Sequence, residues 1–480
     1  MTSFSRRGFL AASAAMFAAN QFPLRAHGQQ AAAIRLTATS RTLDIDGRPA
    51  TVMGLAGPSG QGLILDPGQA FRVDLVNELD VATIVHWHGQ IPPNMQDGVP
   101  DMPQPLLQPG ERRSFDFTPL PGTHWMHSHV PIQEMQLLAA PLIVRRPEDV
   151  AADRQEVVLF LHDFSFKPAE EVLEEITGMQ GGGRHGQHGA ASGTIQGMDH
   201  DGMDMGGMAM DLNDYEWDAY LANDRTLSDP DIVRVERGGR VRLRIINAAA
   251  ATVFWIDTGT LGGRLVAVDG HEVRPLAGTR FGLAMGQRLD IELDLPSEGG
   301  AWPILALREG ARERTGIVLA TSGAVISRIE TVAKDEAPAF DVDLAQEARL
   351  AGIDVLPVRP VQRSRMVMLG GSMQPYVWTI DGATWGNPSP IAATSGERVE
   401  LAFHNMSMMG HPMHLHGHAF QVVGINARRF EGARRDTVYV PPMSMVTVAL
   451  DAGEAANWML HCHHMPHLST GMMTEFRVSA

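Results

Sequence analysis

The chain has 480 residues, of which 44% are hydrophobic and 20% are charged, a composition typical of a globular protein with several domains. Its formal net charge of −16 argues against a nucleic-acid partner, because such a partner requires a basic surface. The single cysteine, Cys462, excludes an intramolecular disulfide, so the folded state depends on packing.

The N-terminal residues have the pattern of an export signal. Arg6 and Arg7 precede an apolar run that is too short to span a bilayer. This pattern predicts a twin-arginine signal within residues 1–32, recognised by the twin-arginine export machinery, and a periplasmic mature protein. A disordered basic start before a small helix is the alternative. Cleavage is expected within residues 26–33, and no later apolar run is long enough for a transmembrane helix.

Alternating hydrophobic and polar residues dominate the rest of the chain. One apolar face per segment is the pattern of β-strands in sheets whose other side is open to water. The clearest segments are 70–79, 112–120, 156–164, 240–248, 398–406 and 445–452. Helical patterns are rare, and 168–176 and 343–352 are the best short candidates. The sequence therefore predicts an all-β protein built from antiparallel Greek-key β-sandwiches.

A phrase consisting of a glycine turn, an alternating strand and an asparagine occurs three times. The copies are DPGQAFRVDLVNEL, ERGGRVRLRIINAA and TSGERVELAFHNMS. Their wide spacing indicates three related domains rather than a short-period repeat protein. Polar linkers place the boundaries near residues 150 and 330, so we expect domains at residues 33–150, 151–330 and 331–480.

Residues 178–210 differ from this pattern. They contain eleven glycines, six methionines and three histidines, a composition that cannot form a core. We interpret them as an insertion into the second domain that is rich in Met, Gly and His. Its methionines stand beside three aspartates, and thioethers are ligands suited to Cu(I). A loop with incidental methionines is the alternative.

Ten of the 20 histidines, counted without His464, fall in four compact groups. The groups are HWH at 86–88, HSH at 127–129, HPMHLH at 411–416 and HCHHMPH at 461–467. Each contains two histidines separated by one residue on strand-like sequence, and residues i and i+2 of a strand point to the same side. Each pair can therefore present two imidazoles to one pocket. Together the pairs supply enough nitrogen donors for a cluster of several metal ions.

Cys462 has the opposite strand parity to its two histidine neighbours, so its sulfur faces a different site. A thiolate with two imidazoles and a weak thioether is the ligand set of an electron-transferring blue-copper site. The imidazoles and the thioether can come from His411, His467 and Met472. We interpret Cys462 as a copper ligand that also connects this copper to the histidine cluster. Zinc is disfavoured, because a zinc site uses three or four ligands and would leave half of these donors unused.

The four motifs, in this order and spacing, resemble those of three-domain bacterial multicopper oxidases, in the exported branch that includes laccase-like enzymes and cuprous oxidases of copper tolerance. The resemblance covers nearly the whole chain after the signal. It implies three consecutive cupredoxin-like domains and four copper ions. It also implies one-electron oxidation of a substrate coupled to reduction of dioxygen to water. Because one chain supplies all the ligands, we expect a monomer.

The resemblance assigns a role to each matching residue. It implies a type 1 copper bound by His411, Cys462, His467 and Met472. It implies a type 2 copper bound by His86 and His414. It implies a type 3 copper pair bound by His88, His127, His129, His416, His461 and His463. The type 2 and type 3 ions would form a trinuclear cluster between the first and third domains.

Water formation also requires protons. Asp97 in NMQDGVP matches the family's acid near the type 2 copper, which orients a water or relays protons; a plain Asp-Gly turn is the alternative. Many bacterial relatives carry a glutamate directly after the last type 1 histidine, where this chain has Leu468. Glu134, Ser469 or an ordered water are the remaining candidates for proton delivery. Four further histidines are expected to surround the ligands or lie on the surface: His124, His404, His418 and His464.

The residues just before His411 bear on the identity of the reductant. Family cuprous oxidases place an aspartate four residues and a methionine two residues before this histidine; here Ser407 replaces the aspartate and Met409 matches the methionine. Met409 and the insertion favour oxidation of Cu(I) to Cu(II) in copper tolerance. Oxidation of phenols and aryl amines is the alternative within the enzyme class. A periplasmic copper-sequestering protein and a structural protein on the same fold are the alternatives outside it.

Overall fold

The computed structural model describes residues 32–178, 212–340 and 344–480. Strands dominate these segments, and six sheets pair into three sandwiches that follow one another along the chain. The all-β prediction is therefore confirmed. No helix in the described segments is long and apolar enough to cross a membrane. The export signal, except its last residue, and the methionine-rich insertion, except Gly178, lie outside the described residues.

The first sandwich has two short helices, α1 (Pro131–Met135) and α2 (Pro147–Ala151). Its strands are β1 (Ile34–Ile45), β2 (Arg48–Gly57), β3 (Gly60–Gln61), β4 (Leu63–Leu65), β5 (Phe71–Asn77), β6 (Val85–His88), β7 (Arg112–Phe117), β8 (Gly122–Ser128) and β9 (Ala139–Val144). They form the sheets β3-β2-β1-β5-β7 and β4-β9-β8-β6. Fully buried Leu36 and Val73 of one sheet share a core with Trp87 and Met126 of the other.

The second sandwich includes the helix α3 (Ala169–Thr177). Its strands are β10 (Gln155–Phe164), β11 (Ala219–Ala222), β12 (Ile232–Arg234), β13 (Arg240–Asn247), β14 (Phe254–Asp257), β15 (Gly263–Val268), β16 (His271–Gly278), β17 (Arg280–Leu283), β18 (Arg288–Asp294), β19 (Ala301–Arg308) and β20 (Arg314–Ala320). They form the sheets β11-β10-β13-β18-β15-β16 and β12-β20-β19-β14-β17.

The third sandwich includes the helix α4 (Met465–Ser469). Its strands are β21 (Arg363–Met373), β22 (Tyr376–Ile380), β23 (Ile391–Thr394), β24 (Arg398–Asn405), β25 (His411–Leu415), β26 (Phe420–Ile425), β27 (Arg428–Arg429), β28 (Arg434–Arg435), β29 (Thr437–Val440), β30 (Met445–Asp451), β31 (Asn457–Cys462) and β32 (Met473–Ser479). They form the sheets β22-β21-β24-β30-β26-β27, with β28 beside β26, and β23-β32-β31-β25-β29.

The repeated sequence phrase has a structural basis in each sandwich. Its strands are β5, β13 and β24, and each runs parallel to the first strand of its own sandwich, in sheets that are otherwise largely antiparallel. The asparagines that end them, Asn77, Asn247 and Asn405, are fully buried. Each donates its amide to at least two backbone carbonyls and accepts from the backbone N–H two residues later. The repeated phrase therefore ends in a buried asparagine whose hydrogen bonds hold the end of a core strand to the loop that follows it.

Of the two predicted helices, the structure contains one. Residues 168–176 do form α3, which ends at Gly178 in the left-handed conformation (φ 67°). The prediction for 343–352 is wrong, because the described residues there contain only a 3₁₀ turn at Glu347–Arg349. Glu347 in this turn is buried and pairs with the buried Arg435 at 2.8 Å. The ion pair with Arg435 thus holds this segment in a 3₁₀ turn, although its sequence pattern favours an α-helix.

A buried ion network joins the second sandwich to the third. Arg288 Nη1 donates to Asp436 Oδ1 at 2.7 Å, and Asp269 accepts from the Arg288 backbone N–H at 2.9 Å and from Arg435 Nη1 at 3.0 Å. All four residues are at most 3% exposed. Buried charges are tolerated only when each is paired and hydrogen-bonded. The network therefore fixes how β18 meets the segment that carries Asp436.

Removal of Arg288 should leave Asp436 and Asp269 buried without full pairing. We expect Arg288→Met to lower the free energy of unfolding of the copper-free protein by about 3–5 kcal/mol. The matched control is Arg264→Met, because Arg264 forms a solvent-exposed pair with Asp294 at 2.6 Å and its loss should cost at most about 1 kcal/mol. Urea unfolding followed by tryptophan fluorescence measures both variants. Equal losses would contradict a special role for the buried pair.

Candidate metal centre

Strand pairing brings the four histidine motifs together in two pairs. In the first sandwich β6 lies antiparallel to β8, with His86 opposite His127. In the third sandwich β25 lies antiparallel to β31, with His414 opposite His461. The two pairs then meet, since His86 Nε2 lies 3.4 Å from His414 Nε2 although 328 residues separate them. The predicted meeting of the first and third domains at the histidines is thus present in the structure.

His86 and His414 each have one ring nitrogen fixed by the backbone. His86 Nδ1 donates to the Asp97 carbonyl at 2.8 Å, and His414 Nδ1 donates to the Asp436 carbonyl at 2.9 Å. The lone pairs then lie on the two Nε2 atoms, which face each other. Gly98 permits the first of these bonds, because a Cβ there would lie 1.9 Å from the Val85 carbonyl oxygen and its φ is +89°. The two residues can hold one metal ion between them.

The remaining cluster histidines form two trios. The donor atoms within each trio lie within 4.8 Å of one another, and the trios are His88, His127, His463 and His129, His416, His461. His88 Nδ1 lies 3.4 Å from His127 Nε2, and His416 Nε2 lies 3.1 Å from His461 Nε2. Within the described part of the chain, His129 Nε2 and both ring nitrogens of His463 have no hydrogen-bond partner. Such buried polar atoms are costly alone, so each trio fits one metal ion.

Burial keeps the cluster imidazoles uncharged. It lowers the pKa of every histidine in the two trios well below its usual range, and neighbouring histidines lower it further. A neutral imidazole keeps the lone pair that a metal needs. The cluster is therefore ready to bind metal at neutral pH without first releasing protons.

Three buried carboxylates orient the cluster imidazoles. Asp97 Oδ2 accepts from His416 Nδ1 at 2.9 Å, and Asp436 Oδ1 accepts from His88 Nε2 at 3.0 Å. Glu134 of α1 lies with Oε2 2.8 Å from His127 Nδ1, which also donates to the Ser128 carbonyl at 3.0 Å, and burial raises the pKa of Glu134 well above the usual range. A carboxylate on the far nitrogen of a ligating histidine fixes the tautomer and the ring orientation. Of these three residues, the sequence offered no motif for Asp436.

Leu468 and Glu134 lie on the same side of His129 and His461, with no water-sized space between them. The position where relatives carry a glutamate is thus apolar here, and a carboxylate reaches the same space from α1. Ser469, the other residue considered for proton delivery, has a buried Oγ without a hydrogen-bond partner among the described residues.

A second site contains the thiol. Cys462 Sγ lies 3.7 Å from Nδ1 of His411 and 3.7 Å from Nδ1 of His467, and these two nitrogens are 3.1 Å apart. Met472 is fully buried in the same core, and its carbonyl accepts the Cys462 backbone N–H at 3.0 Å. Burial raises the pKa of the Cys462 thiol, so a thiolate there requires a bound cation. The thiol, the two imidazoles and the thioether therefore fit a bound copper ion rather than an ordinary apolar core.

The ring nitrogens of His411 and His467 that point away from Cys462 have different partners. His411 Nε2 donates to Ser407 Oγ at 2.8 Å, so the serine that replaces the family aspartate still orients the ring. His467 Nε2 lies 3.7 Å from Asp214 Oδ2, and the Tyr376 hydroxyl donates to the same carboxylate. Asp214 and Tyr376 were missed by the sequence reasoning, because no motif marks them and only tertiary packing brings them here.

The other predicted residues lie close to the centre. Met409 is buried, 3% exposed, and its carbonyl accepts from the Asn405 side chain at 2.7 Å. His464 stacks on His467 with ring centroids 3.8 Å apart. His418 has a structural role, since Nδ1 donates to the His416 carbonyl at 2.9 Å and Nε2 accepts from Gly453 N–H at 2.9 Å. His124 is buried, and His404 is half-buried.

One residue connects the two sites covalently. Cys462 belongs to the second site, and its chain neighbours His461 and His463 belong one to each trio. A blue-copper donor set joined in this way to a cluster of paired histidines defines a copper oxidoreductase that moves single electrons between two centres.

The comparisons agree with this class. Residues 37–149, 156–324 and 358–480 each match a family model described as multicopper oxidase. The chain is 30% identical to the multicopper oxidase MmcO of Mycobacterium tuberculosis, over 98% of this chain and 96% of the relative. It is 23% identical to copper resistance protein A of Escherichia coli, over 88% of each chain.

Solved structures share the fold. The iron-import multicopper oxidase Fet3p aligns with a TM-score of 0.75 at 16% identity, over 92% of this chain and 90% of that one. A multicopper oxidase of Pseudomonas thermotolerans aligns with a TM-score of 0.67 at 23% identity, over 93% and 98%. The chain belongs to the multicopper oxidase family. It is an oxidoreductase with three cupredoxin-like domains that uses copper, dioxygen and a reducing substrate.

Glu134 should contribute to copper retention through His127. Glu134→Gln keeps the size of the side chain but removes the carboxylate, so we expect copper affinity of the histidine cluster to fall about 10-fold or more. Competition with a copper chelator measures this loss. Glu148→Gln is the control, since Glu148 is exposed on α2. Equal retention by both variants would show that Glu134 does not orient His127.

Proposed function

We propose that the protein is a periplasmic cuprous oxidase with four copper ions. The type 1 ion is bound by His411, Cys462, His467 and Met472, and the type 2 ion by His86 and His414. The type 3 pair is bound by His88, His127 and His463 on one side and by His129, His416 and His461 on the other. The observation that carries the proposal is the position of Cys462, whose sulfur faces one donor set while its two neighbours belong to the others.

The bound coppers would supply one-electron transfer from the reductant to dioxygen. The chain supports this chemistry in three ways. Cys462 and its flanking histidines give a short covalent path between the centres. Burial of every proposed ligand, none more than 7% exposed, limits water access to them. Asp97 contacts His416 and lies 3.4 Å from His86 Nδ1, so we assign it the role of orienting water or relaying protons at the cluster.

Cu(I) is the proposed reductant. The methionine-rich insertion and the buried Met409 offer soft ligands, and several relatives are named copper resistance proteins. The outer nitrogen of His467 faces Asp214, whose side chain is 0% exposed, so a phenol has no open hydrogen-bonding position there. Oxidation of phenols and aryl amines remains the second candidate, because relatives include fungal laccases.

The N-terminal arginine pair supports export through the twin-arginine route before the signal is removed. One chain carries every proposed ligand, which supports a monomer as the active form.

Oxygen uptake by the copper-loaded protein tests the reductant. We expect Cu(I) to be oxidised faster than a phenol, and deletion of residues 178–210 to slow Cu(I) turnover while the phenol rate is kept or raised. Unchanged rates for both substrates after the deletion would make the insertion incidental and favour a general laccase. Absence of oxygen uptake with either substrate would favour copper sequestration.

Cys462→Ser tests the electron path. The substitution replaces the thiolate by a poor copper ligand, so we expect loss of the intense thiolate-to-copper absorption and at least about a 1000-fold fall in oxygen uptake with either substrate. Copper bound by the histidine cluster should remain, as counted by metal analysis. Retained turnover would contradict a type 1 role for Cys462.

A further inference from the structure

A cavity of about 490 Å³ lies between the first and second sandwiches. Cavities of this size at a boundary between domains are frequent binding sites for small molecules. Its lining comes mainly from β1, β4, β9 and β10. Within the described part of the chain it is open to solvent, because Ser59, Ile64 and Gln69 in its lining are exposed. None of the proposed copper ligands lines it, so it is a separate feature of the molecule.

The inner part of this cavity is apolar. Among its lining residues, Ala139, Ile143 and Phe160 are buried and Val158 is half-buried. The same four residues pack with Trp125 in one apolar cluster. Apolar cavities hold water poorly and take up apolar molecules such as xenon. The inner surface therefore suits a small apolar occupant.

The polar side chains of the lining already have partners. Arg41 Nη2 donates to Asp224 Oδ1 at 2.9 Å, and Arg41 Nε donates to the Met53 carbonyl at 3.1 Å. Asn223 Nδ2 donates to the Val158 carbonyl at 2.9 Å. A charged or strongly polar ligand would compete with these bonds and would lose its own hydration on entry. The lining therefore favours an uncharged, apolar molecule.

The inner end of the cavity is one strand away from a histidine of the metal centre. Ala139 on β9 lies opposite His127 on β8, and Pro141 lies opposite Trp125. Residues paired in this way on neighbouring strands point to the same face of a sheet. Ala139 and Pro141, which line the cavity, therefore share one face of the sheet with His127.

Two aromatic rings connect the cavity to the trio of His88, His127 and His463. The ring of Phe160, which lines the cavity, has its centroid 6.4 Å from that of Trp125. Trp125 stacks on His127 at 4.3 Å, and its centroid lies 5.1 Å from that of His88 and 5.3 Å from that of His463. A path past two apolar side chains therefore leads from the cavity to all three histidines.

Other contacts of the same trio are with charged groups. Asp436 accepts from His88 Nε2 at 3.0 Å, and Glu134 lies 2.8 Å from His127 Nδ1 and 3.8 Å from His463 Nδ1. Carboxylates attract protons and water, whereas dioxygen is uncharged and favours apolar surroundings. The side covered by Trp125 is thus the apolar approach to the trio.

We propose that dioxygen enters through this cavity and passes Phe160 and Trp125 to reach the trio of His88, His127 and His463. The proposal rests on the assignment of this trio to a type 3 copper under the proposed function, and it holds for either reductant. Rotation of the two rings admits a diatomic molecule, and side-chain rotation is faster than typical enzymatic turnover. Protons then reach the cluster from the carboxylate side, separately from dioxygen.

The test fills the cavity in the copper-loaded full-length protein. Val158→Trp places an indole there, because Val158 is half-buried in the lining. Val233→Trp is the matched control, since Val233 is also a half-buried valine of the second sandwich and lies outside the cavity. Diffraction from crystals under xenon pressure locates the positions that take up an apolar gas. Initial rates at varied dioxygen concentration, with saturating Cu(I) or p-phenylenediamine, give kcat and kcat/KM for dioxygen.

We expect xenon in the cavity of the unaltered protein and of the control, but not of Val158→Trp. In Val158→Trp, kcat/KM for dioxygen should fall about 5-fold or more while kcat at saturating dioxygen stays within about two-fold, because only access is impeded. The control should keep both values. Copper content and the type 1 absorption band should be the same in all three proteins.

Two results would overturn the proposal. One is a cavity of the unaltered protein that takes up no xenon. The other is an unchanged kcat/KM for dioxygen in Val158→Trp, or a fall equal to that of the control. If Val158→Trp does not retain copper, Ile64→Trp takes its place, because Ile64 lines the cavity and is 54% exposed, so a larger side chain there does not disturb the core.

Oxygen uptake separates this proposal from the proposed function. If the unaltered protein takes up no dioxygen with either reductant, the proposed function fails, and the entry route fails with it. If uptake is normal and filling the cavity does not change kcat/KM for dioxygen, only the entry route fails.

Discussion

The arrangement of this protein depends on keeping many imidazoles buried, uncharged and correctly oriented in one place. Burial keeps the rings neutral, because a charged imidazole would lose its hydration. Orientation comes from oxygen acceptors on the outer nitrogens, such as the carbonyls of Asp97 and Asp436 and the carboxylate of Glu134. Only then do the inner nitrogens converge closely enough to share a metal ion. The strand pairs β6–β8 and β25–β31 supply the rigid frame that this convergence requires.

The second sandwich contributes none of the proposed copper ligands, yet it holds the centre together. Arg288 on β18 neutralises Asp436, and the same carboxylate contacts His88. Gly286, at the start of this segment, lets the backbone approach the ring of His463, since a Cβ would lie 2.9 Å from it. The middle sandwich thus fixes the interface between the other two through charge pairing and close packing.

The two histidines beside Cys462 have different surroundings. His411 is held by the neutral Ser407, whereas His467 lies between a buried carboxylate, a stacked histidine and the ring of Trp378 at 4.1 Å. The side facing His467 therefore offers polar and soft groups rather than an open apolar cleft. This asymmetry is one observation behind the proposal of a small metal ion rather than an aromatic molecule as the reductant.

The sequence by itself determined the strand content, the repeated phrase and the donor types, because alternation, turn residues and H-x-H spacing are local properties of the chain. It also separated the sulfur of Cys462 from the rings of His461 and His463, since parity along a strand is fixed by backbone geometry. Tertiary structure alone decided which histidines share a trio, that Glu347 forms an ion pair rather than part of a helix, and that Asp214 and Asp436 contact His467 and His88. These residues lie far from the motifs in sequence, and only packing between sandwiches brings them within contact distance.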